Sequence, residues 1–192
     1  MSDLSKYVGG NYDIVYMDPA WPMYGDPNKN AAAGKHYDLM SFEDICDMPI
    51  KDICADKAAV FVWATCPRLD IAIKAIESWG LHFRGVPFVW VKTRKDGVPI
   101  GPMGVPPTST KPVSELVLLA TTNKRGRPLV LQSSKVRQVV FAPRGKHSSK
   151  PEEVRERIEE VYGSDCKKLE LFSRNAASGW TCSGSDLNGD VY

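Results

Sequence analysis

Nowhere in these 192 residues is there an apolar run of membrane length, and Met1 to Asn11 carry neither the basic start nor the apolar core of a secretory signal. The five cysteines (46, 54, 66, 166 and 182) are odd in number and form no C-x-x-C pair. A disulfide framework and a zinc site therefore lack their spacing; the thiols read as small buried hydrophobes and the compartment as a reducing cytoplasm. No strand-like run is followed by G-x-G-x-x-G, and G-x-x-x-x-G-K-[ST] is missing, so dinucleotide and nucleoside-triphosphate sites lose their usual support. Acid is missing from a whole stretch: none occurs from Leu116 to Pro151.

Charge is correspondingly uneven. The net charge is only +2, but residues 1–60 hold 5 Lys/Arg against 10 Asp/Glu, whereas residues 91–151 hold 12 Lys/Arg against Asp96 and Glu115 alone. Such a basic stretch either tracks a phosphate backbone or forms a solvated face. Lys92, Arg94, Lys124, Arg125, Arg127 and Arg144 are its candidate nucleic-acid contacts.

At 43% hydrophobic and 25% charged residues, the composition is that of one ordinary globular domain. The expectation is a single unit over 1–192 with its core in 12–184. Tyr12–Met17 reads as a buried strand, and the polar, Gly/Pro-rich residues 22–37 as a long loop. Ser41 with Asp44 opens a short helix through Met48, stopped at Pro49. The continuous apolar run 58–65 reads as a central strand covered on both faces. Leu69, Ala72, Ile73, Ile76 and Trp79 recur at helical spacing before Gly80. Strands follow at 88–91, 115–120 and 136–141, with a second long loop over 94–113, where five prolines and three glycines occur. Pro151 opens a helix that Gly163 ends, 168–172 is the last strand, and the remainder is a polar tail. Strands alternating with helices point to an α/β doubly wound sheet.

Asp18-Pro19-Ala20-Trp21 stands directly after the first strand, at the carboxyl end where open α/β sheets bind ligands. Proline fixes one φ and turns the chain. The Asp18 carboxylate and Pro19 carbonyl then form an acceptor pair beside the flat ring of Trp21, a clamp suited to the exocyclic amine of a planar base.

Alone, this tetrapeptide is a weak signal. Taken with His36-Tyr37-Asp38-Leu39-Met40-Ser41, Phe61-Val62-Trp63-Ala64-Thr65, Trp79-Gly80, Trp90-Val91-Lys92, His147-Ser148-Ser149-Lys150-Pro151, Leu169-Glu170-Leu171-Phe172-Ser173-Arg174 and Gly179-Trp180, it is strong. In order and spacing these segments resemble the adenine-N6 methyltransferases related to the catalytic subunit of the eukaryotic mRNA methylation complex, with its bacterial and phage members. The resemblance runs from Tyr12 to Gly184. It implies a Rossmann-like methyltransferase sheet with permuted motif order, the catalytic motif first and the cofactor motif near the C-terminus. It implies S-adenosylmethionine as methyl donor, and DNA in preference to RNA as substrate.

On the cofactor side the resemblance assigns Lys150 to the methionine carboxylate and Glu170 and Arg174 to the ribose. His147, Ser148 and Phe172 lie along the same site, and Gly184 and Ser185 sit by the cofactor's adenine. Asp18, Pro19 and Trp21 are the catalytic set. The family's usual second proline is Ala20 here; the acid and the carbonyl acceptor are retained, so the alanine touches rigidity rather than chemistry. A base inside a duplex cannot reach such a clamp, so the target is flipped out or single-stranded. A homodimer or a partner subunit is compatible with the sequence, as is a catalytically silent nucleic-acid-binding subunit, against which Asp18 argues.

Overall fold

A computed structural model describes residues 4–22, 40–102, 109–145 and 149–184. Its centre is a seven-stranded sheet: β1 (Tyr12–Met17), β2 (Cys54–Thr65), β3 (His82–Thr93), β4 (Ser114–Thr121), β5 (Val139–Pro143), β6 (Lys168–Leu171) and β7 (Thr181–Ser183), in the order β5-β3-β4-β2-β1-β6-β7. β4 runs against both of its neighbours and every other pairing is parallel. The sheet is therefore mixed rather than wholly wound by crossovers. The reason lies in 94–113, whose prolines admit no crossover helix, so the chain returns antiparallel from β3 to β4.

Helices cover both faces. On one, α1 (Phe42–Cys46), α2 (Ile50–Ile53) and α3 (Leu69–Ser78) pack with Val15, Met17, Val60, Val62 and Leu118. On the other, α4 (Glu152–Tyr162) sets Val154 and Ile158 against Ile14, Phe61, Val117 and Val140. Alternate residues of β1 and β2 go to opposite clusters, as a pleated strand requires. The apolar run 58–65 is thus central because both of its faces are needed. α3 buries Ile71, Ala72, Ala75 and Ile76 along one stripe, and Gly80 follows it at φ +69°.

The local signals stop short in three places. The Ser41 hydroxyl caps α1 by accepting from Asp44 N at 3.0 Å, but the helix ends at Cys46. Pro49 does not stop it; it precedes a further turn, α2, whose Ile50 and Ile53 are drawn into the core. β3 is longer than its apolar centre and carries Pro87 between the register shifts at Gly85 and Phe88, where a missing donor is tolerated. β7 lies in what reads as a polar tail: three residues held by pairing with β6, with no alternation to betray them.

Candidate active site and its relatives

Strand alternation builds the site. Tyr16 and Asp18 leave β1 on the face that α4 covers. Trp63 of β2, Trp90 and Lys92 of β3, Glu115 of β4 and Glu170 of β6 join them there, and the register sets Tyr16 beside Glu170 and Trp90 beside Glu115. A row of polar and aromatic groups thus crosses five strands, near the carboxyl ends of β1, β2, β3 and β6 and at the amino end of the reversed β4. Its floor is rigid: Trp63 and Trp90 are fully buried with rings 6.0 Å apart, and the Trp63 indole N–H donates to the Tyr16 hydroxyl at 2.6 Å.

Over this floor lies a chain of charges. Lys150 Nζ is 2.8 Å from Asp18 Oδ2 and 3.1 Å from Glu115 Oε2, and Lys92 Nζ is 2.5 Å from Glu115 Oε1. The side chains of Asp18, Lys150 and Glu115 are 27%, 17% and 16% exposed. The two ammonium groups also stand 5.5 Å and 5.2 Å from the ring centres of Trp63 and Trp90. Burial pushes Asp18 above the usual carboxylate range, with Lys150 opposing it. Burial acts on Glu115 too, but the paired lysines outweigh it and hold that carboxyl low. The two carboxylates along one strip of charge are thus driven apart, and Asp18 is the more basic.

A cleft of about 500 Å³, open mouth included, joins Asp18 and Lys150 to Glu170, Phe172, Arg174 and Asn175. Arg155, from the first turns of α4, lies 2.6 Å from Glu170; the two side chains are 15% and 14% exposed. Burial pushes Glu170 up and Arg155 counters it. Phe172 has φ +61°, a left-handed conformation that costs an aromatic residue energy and turns the chain sharply after β6. The turn is tied by Ser173 N donating to Ser183 O at 2.9 Å. At Gly184 an added Cβ would fall 1.8 Å from the Ser173 carbonyl, so only glycine allows this closure.

Of the sequence-derived set, Asp18, Lys150, Glu170, Phe172 and Arg174 come together on this cleft. Lys150 stands between two carboxylates rather than as a lone cation. The Pro19 carbonyl already accepts from Trp21 N at 2.8 Å, so it offers a ligand only its second lone pair. Trp21 is half-buried and anchored by its indole N–H to the Trp63 carbonyl at 2.8 Å. His147, Ser148 and Ser185 lie outside the described residues, as does most of the loop 22–37.

The six candidate nucleic-acid residues divide. Lys92 is near the carboxyl end of β3, and Arg94 and Arg144 follow β3 and β5, all at the end of the sheet that holds Asp18; Lys92 is engaged by Glu115 and Arg94 by Asp96. Lys124, Arg125 and Arg127 follow the reversed strand β4 and are at the opposite end, about 20 Å away at ~3.4 Å per residue. Arg84 secures that turn by donating to the carbonyls of Asn123, Lys124 and Gly126.

Tyr16, Trp63, Glu115 and Arg155 were not singled out as site residues by the sequence. Tyr16 was within reach, because it lies two residues before Asp18 and must share its face. Glu115 and Arg155 gave no local signal; they become visible only with the register of β4 and the docking of α4.

A mixed α/β sheet with a clamped acid at a strand's carboxyl end, facing an adjoining cleft with its own buried acid, is the layout of a nucleotide-modifying transferase. The chain belongs to the MT-A70 family of adenine-N6 methyltransferases, whose model matches residues 12–186. It is 27% identical to the type II methyltransferase M.MunI of a Mycoplasma species, over 92% of this chain and 78% of that protein. It is 27% identical to the human N(6)-adenine-specific methyltransferase METTL4 and 26% to the N6-methyladenosine RNA methyltransferase MTA1 of Pyricularia oryzae. Each match covers 92% of this chain, but only 37% and 47% of those two proteins.

Proposed function

We propose that this chain transfers the methyl group of S-adenosylmethionine to N6 of adenine in DNA, with the cofactor motif following the catalytic motif in the chain. The observation that supports it best is the shared cleft: the Asp18 carboxylate and the Glu170 carboxylate open onto one space, an acceptor for the amine and an acceptor for ribose hydroxyls. DNA is favoured by the resemblance to compact bacterial and phage members of the family, and M.MunI is a bacterial relative of comparable length.

The chemistry of the lining suits the donor. Glu170 can accept from its ribose, Lys150 and Arg174 carry charge complementary to its carboxylate, and Phe172 and Leu171 supply an apolar wall. When bound, S-adenosylmethionine supplies an electrophilic methyl on a positively charged sulfur.

The residues of the chain do the rest. Adenine N6 is a poor nucleophile because its lone pair is delocalised into the ring. Asp18 and the open lone pair of the Pro19 carbonyl accept its two N–H bonds and favour a tetrahedral nitrogen, with Trp21 as the flat surface beside the ring. Once N6 accepted the methyl that the donor would supply, the S–C pair staying with sulfur, the nitrogen would become acidic. Its proton passes to the Asp18 carboxylate, made more basic by burial, and then to water. Lys150 keeps that carboxylate ionised and aimed.

The decisive measurement is incubation with methyl-labelled S-adenosylmethionine and matched DNA and RNA oligonucleotides, followed by nucleoside analysis. N6-methyldeoxyadenosine is expected. Label in RNA alone would move the substrate to RNA, and no label at all would leave a silent binding subunit. Arg155→Met should weaken S-adenosylhomocysteine binding about tenfold at neutral pH, because Glu170 without its partner is harder to ionise. Affinity should recover as pH rises, and Arg155→Lys should restore most of it; calorimetry across pH checks this, and a flat profile would reject it.

A further inference from the structure

Among the described residues of the acid-free stretch from Leu116 to Pro151, only Ser149, Lys150 and Pro151 line the cleft. Three of its exposed cations, Lys135, Arg137 and Arg144, run from one end of the sheet to the other along a single border. Lys135 and Arg137 precede β5, Arg144 follows it at the end that holds Asp18, and β5 is the edge strand. Between these cations Phe141 is 61% exposed and Val139 is 39% exposed. Val140 and Ala142 are buried in the cluster under α4, so Val139 and Phe141 look out from the other face. The register sets them beside Val89 and Val91, both half-buried.

A protein strand is poorly suited to this edge. Arg157 reaches from α4 to donate to the carbonyls of Arg137 and Val139 at 2.5 and 2.8 Å, and Gln138 turns its amide back to Val86 O at 2.6 Å. Those groups are unavailable for strand addition, and the guanidinium adds charge that opposes a second copy. The exposed glutamates of α4, Glu152, Glu153, Glu156 and Glu160, belong to the side that α4 covers rather than to the side of Phe141. What the border offers is an aromatic ring and a valine bracketed by cations, the combination that follows a nucleic-acid strand: cations for phosphates, a ring for a base.

On the reading proposed above, we infer that the β5 edge is a track for the nucleic-acid strand that flanks the target adenine, with Lys135, Arg137 and Arg144 on phosphates and Phe141 stacked on a base outside the clamp. Positions 137 and 144 are about 23 Å apart along extended backbone at ~3.3 Å per residue, the axial span of about seven stacked nucleotides at ~3.4 Å each. The track therefore engages long substrates and not short ones.

The test compares fluorescein-labelled single strands of about 24 and about 8 nucleotides with the same central adenine, against wild type, Phe141→Ser and Lys135→Ala/Arg137→Ala. Anisotropy should show affinity for the long strand falling about tenfold in each variant and the salt slope of the double variant dropping by about 1.4, with the short strand unchanged. Unchanged affinity for the long strand would overturn the track, as would equal losses for both lengths. So would sedimentation showing a wild-type dimer that Phe141→Ser dissociates without loss of nucleic-acid affinity, which would make this face a protein interface. Should wild type bind the long strand but methylate neither DNA nor RNA, the methyl-transfer reading fails while the binding comparison still judges the track.

Discussion

Asp18→Asn should lower kcat for adenine methylation by about 10²–10³ while cofactor affinity stays within about threefold of wild type. The asparagine keeps the shape of the side chain but loses the charge, and its amide nitrogen presents a donor where the adenine amine needs an acceptor. Neither N6 nor its departing proton is then served. The fold should survive, because Lys150 keeps its contact with Glu115 at 3.1 Å and Trp63 stays held by Tyr16. Cofactor binding should survive because Glu170 keeps its pair with Arg155 at 2.6 Å and the turn at Phe172 stays tied by Ser173 and Ser183. Single-turnover kinetics with calorimetry separates the two effects. Turnover near wild type in the variant would remove Asp18 from the chemistry, and parallel loss of cofactor affinity would make it a structural residue of the cleft.

The structure adds a reason why an aspartate serves at this place. Its carboxyl is raised by burial, so the ionised form is stabilised less in the folded protein than in the unfolded chain. The sign follows: in the pH range between the ordinary aspartate value and the raised folded value, stability contributed by this group falls as pH rises. Above that range the protein carries the cost in full, and Asp18 is the more basic acceptor for it. Glu115, two strands away and held low by two lysines, behaves in the opposite sense and stays ionised.

How much of this was open to a reader of the sequence depends on whether the cause is local. β1, α3 and β4 follow from apolar periodicity, and Asp18 from standing at the end of the first of them; all three are where the pattern puts them. β7 and α2 were hidden because their stability comes from a neighbour: backbone pairing with β6 for one, two isoleucines drawn into the core for the other. The basic turn at Lys124–Arg127 shows the same limit in the site. Its charge is plain in the sequence, but its distance from Asp18 depends on β4 running backwards, which no residue of the turn announces. Lys150 is the sharpest case. Resemblance places it near the cofactor, whereas its two carboxylate partners come from β1 and β4, joined only by the sheet order.

Lys150→Met should therefore do two things that a simple cofactor contact would not. Removing the ammonium takes away the main force that opposes burial at Asp18, so the Asp18 carboxyl should rise further. The ionised form is the working one, so the acid limb of the kcat/KM profile should move to higher pH than in wild type. Activity at neutral pH is expected to fall about a hundredfold, with part of it regained as pH is raised through the region where wild type is flat. Glu115 keeps Lys92 at 2.5 Å and should remain ionised, so the displaced limb belongs to Asp18. In Lys150→Met/Asp18→Asn the limb should vanish, because the group that titrates is gone. A pH-independent loss in Lys150→Met, with weakened cofactor binding at every pH, would confine the lysine to the methionine carboxylate. A limb that persists in the double variant would assign the titration to another group in the cleft, and Glu170, raised by burial beside Arg155, would be the one to examine.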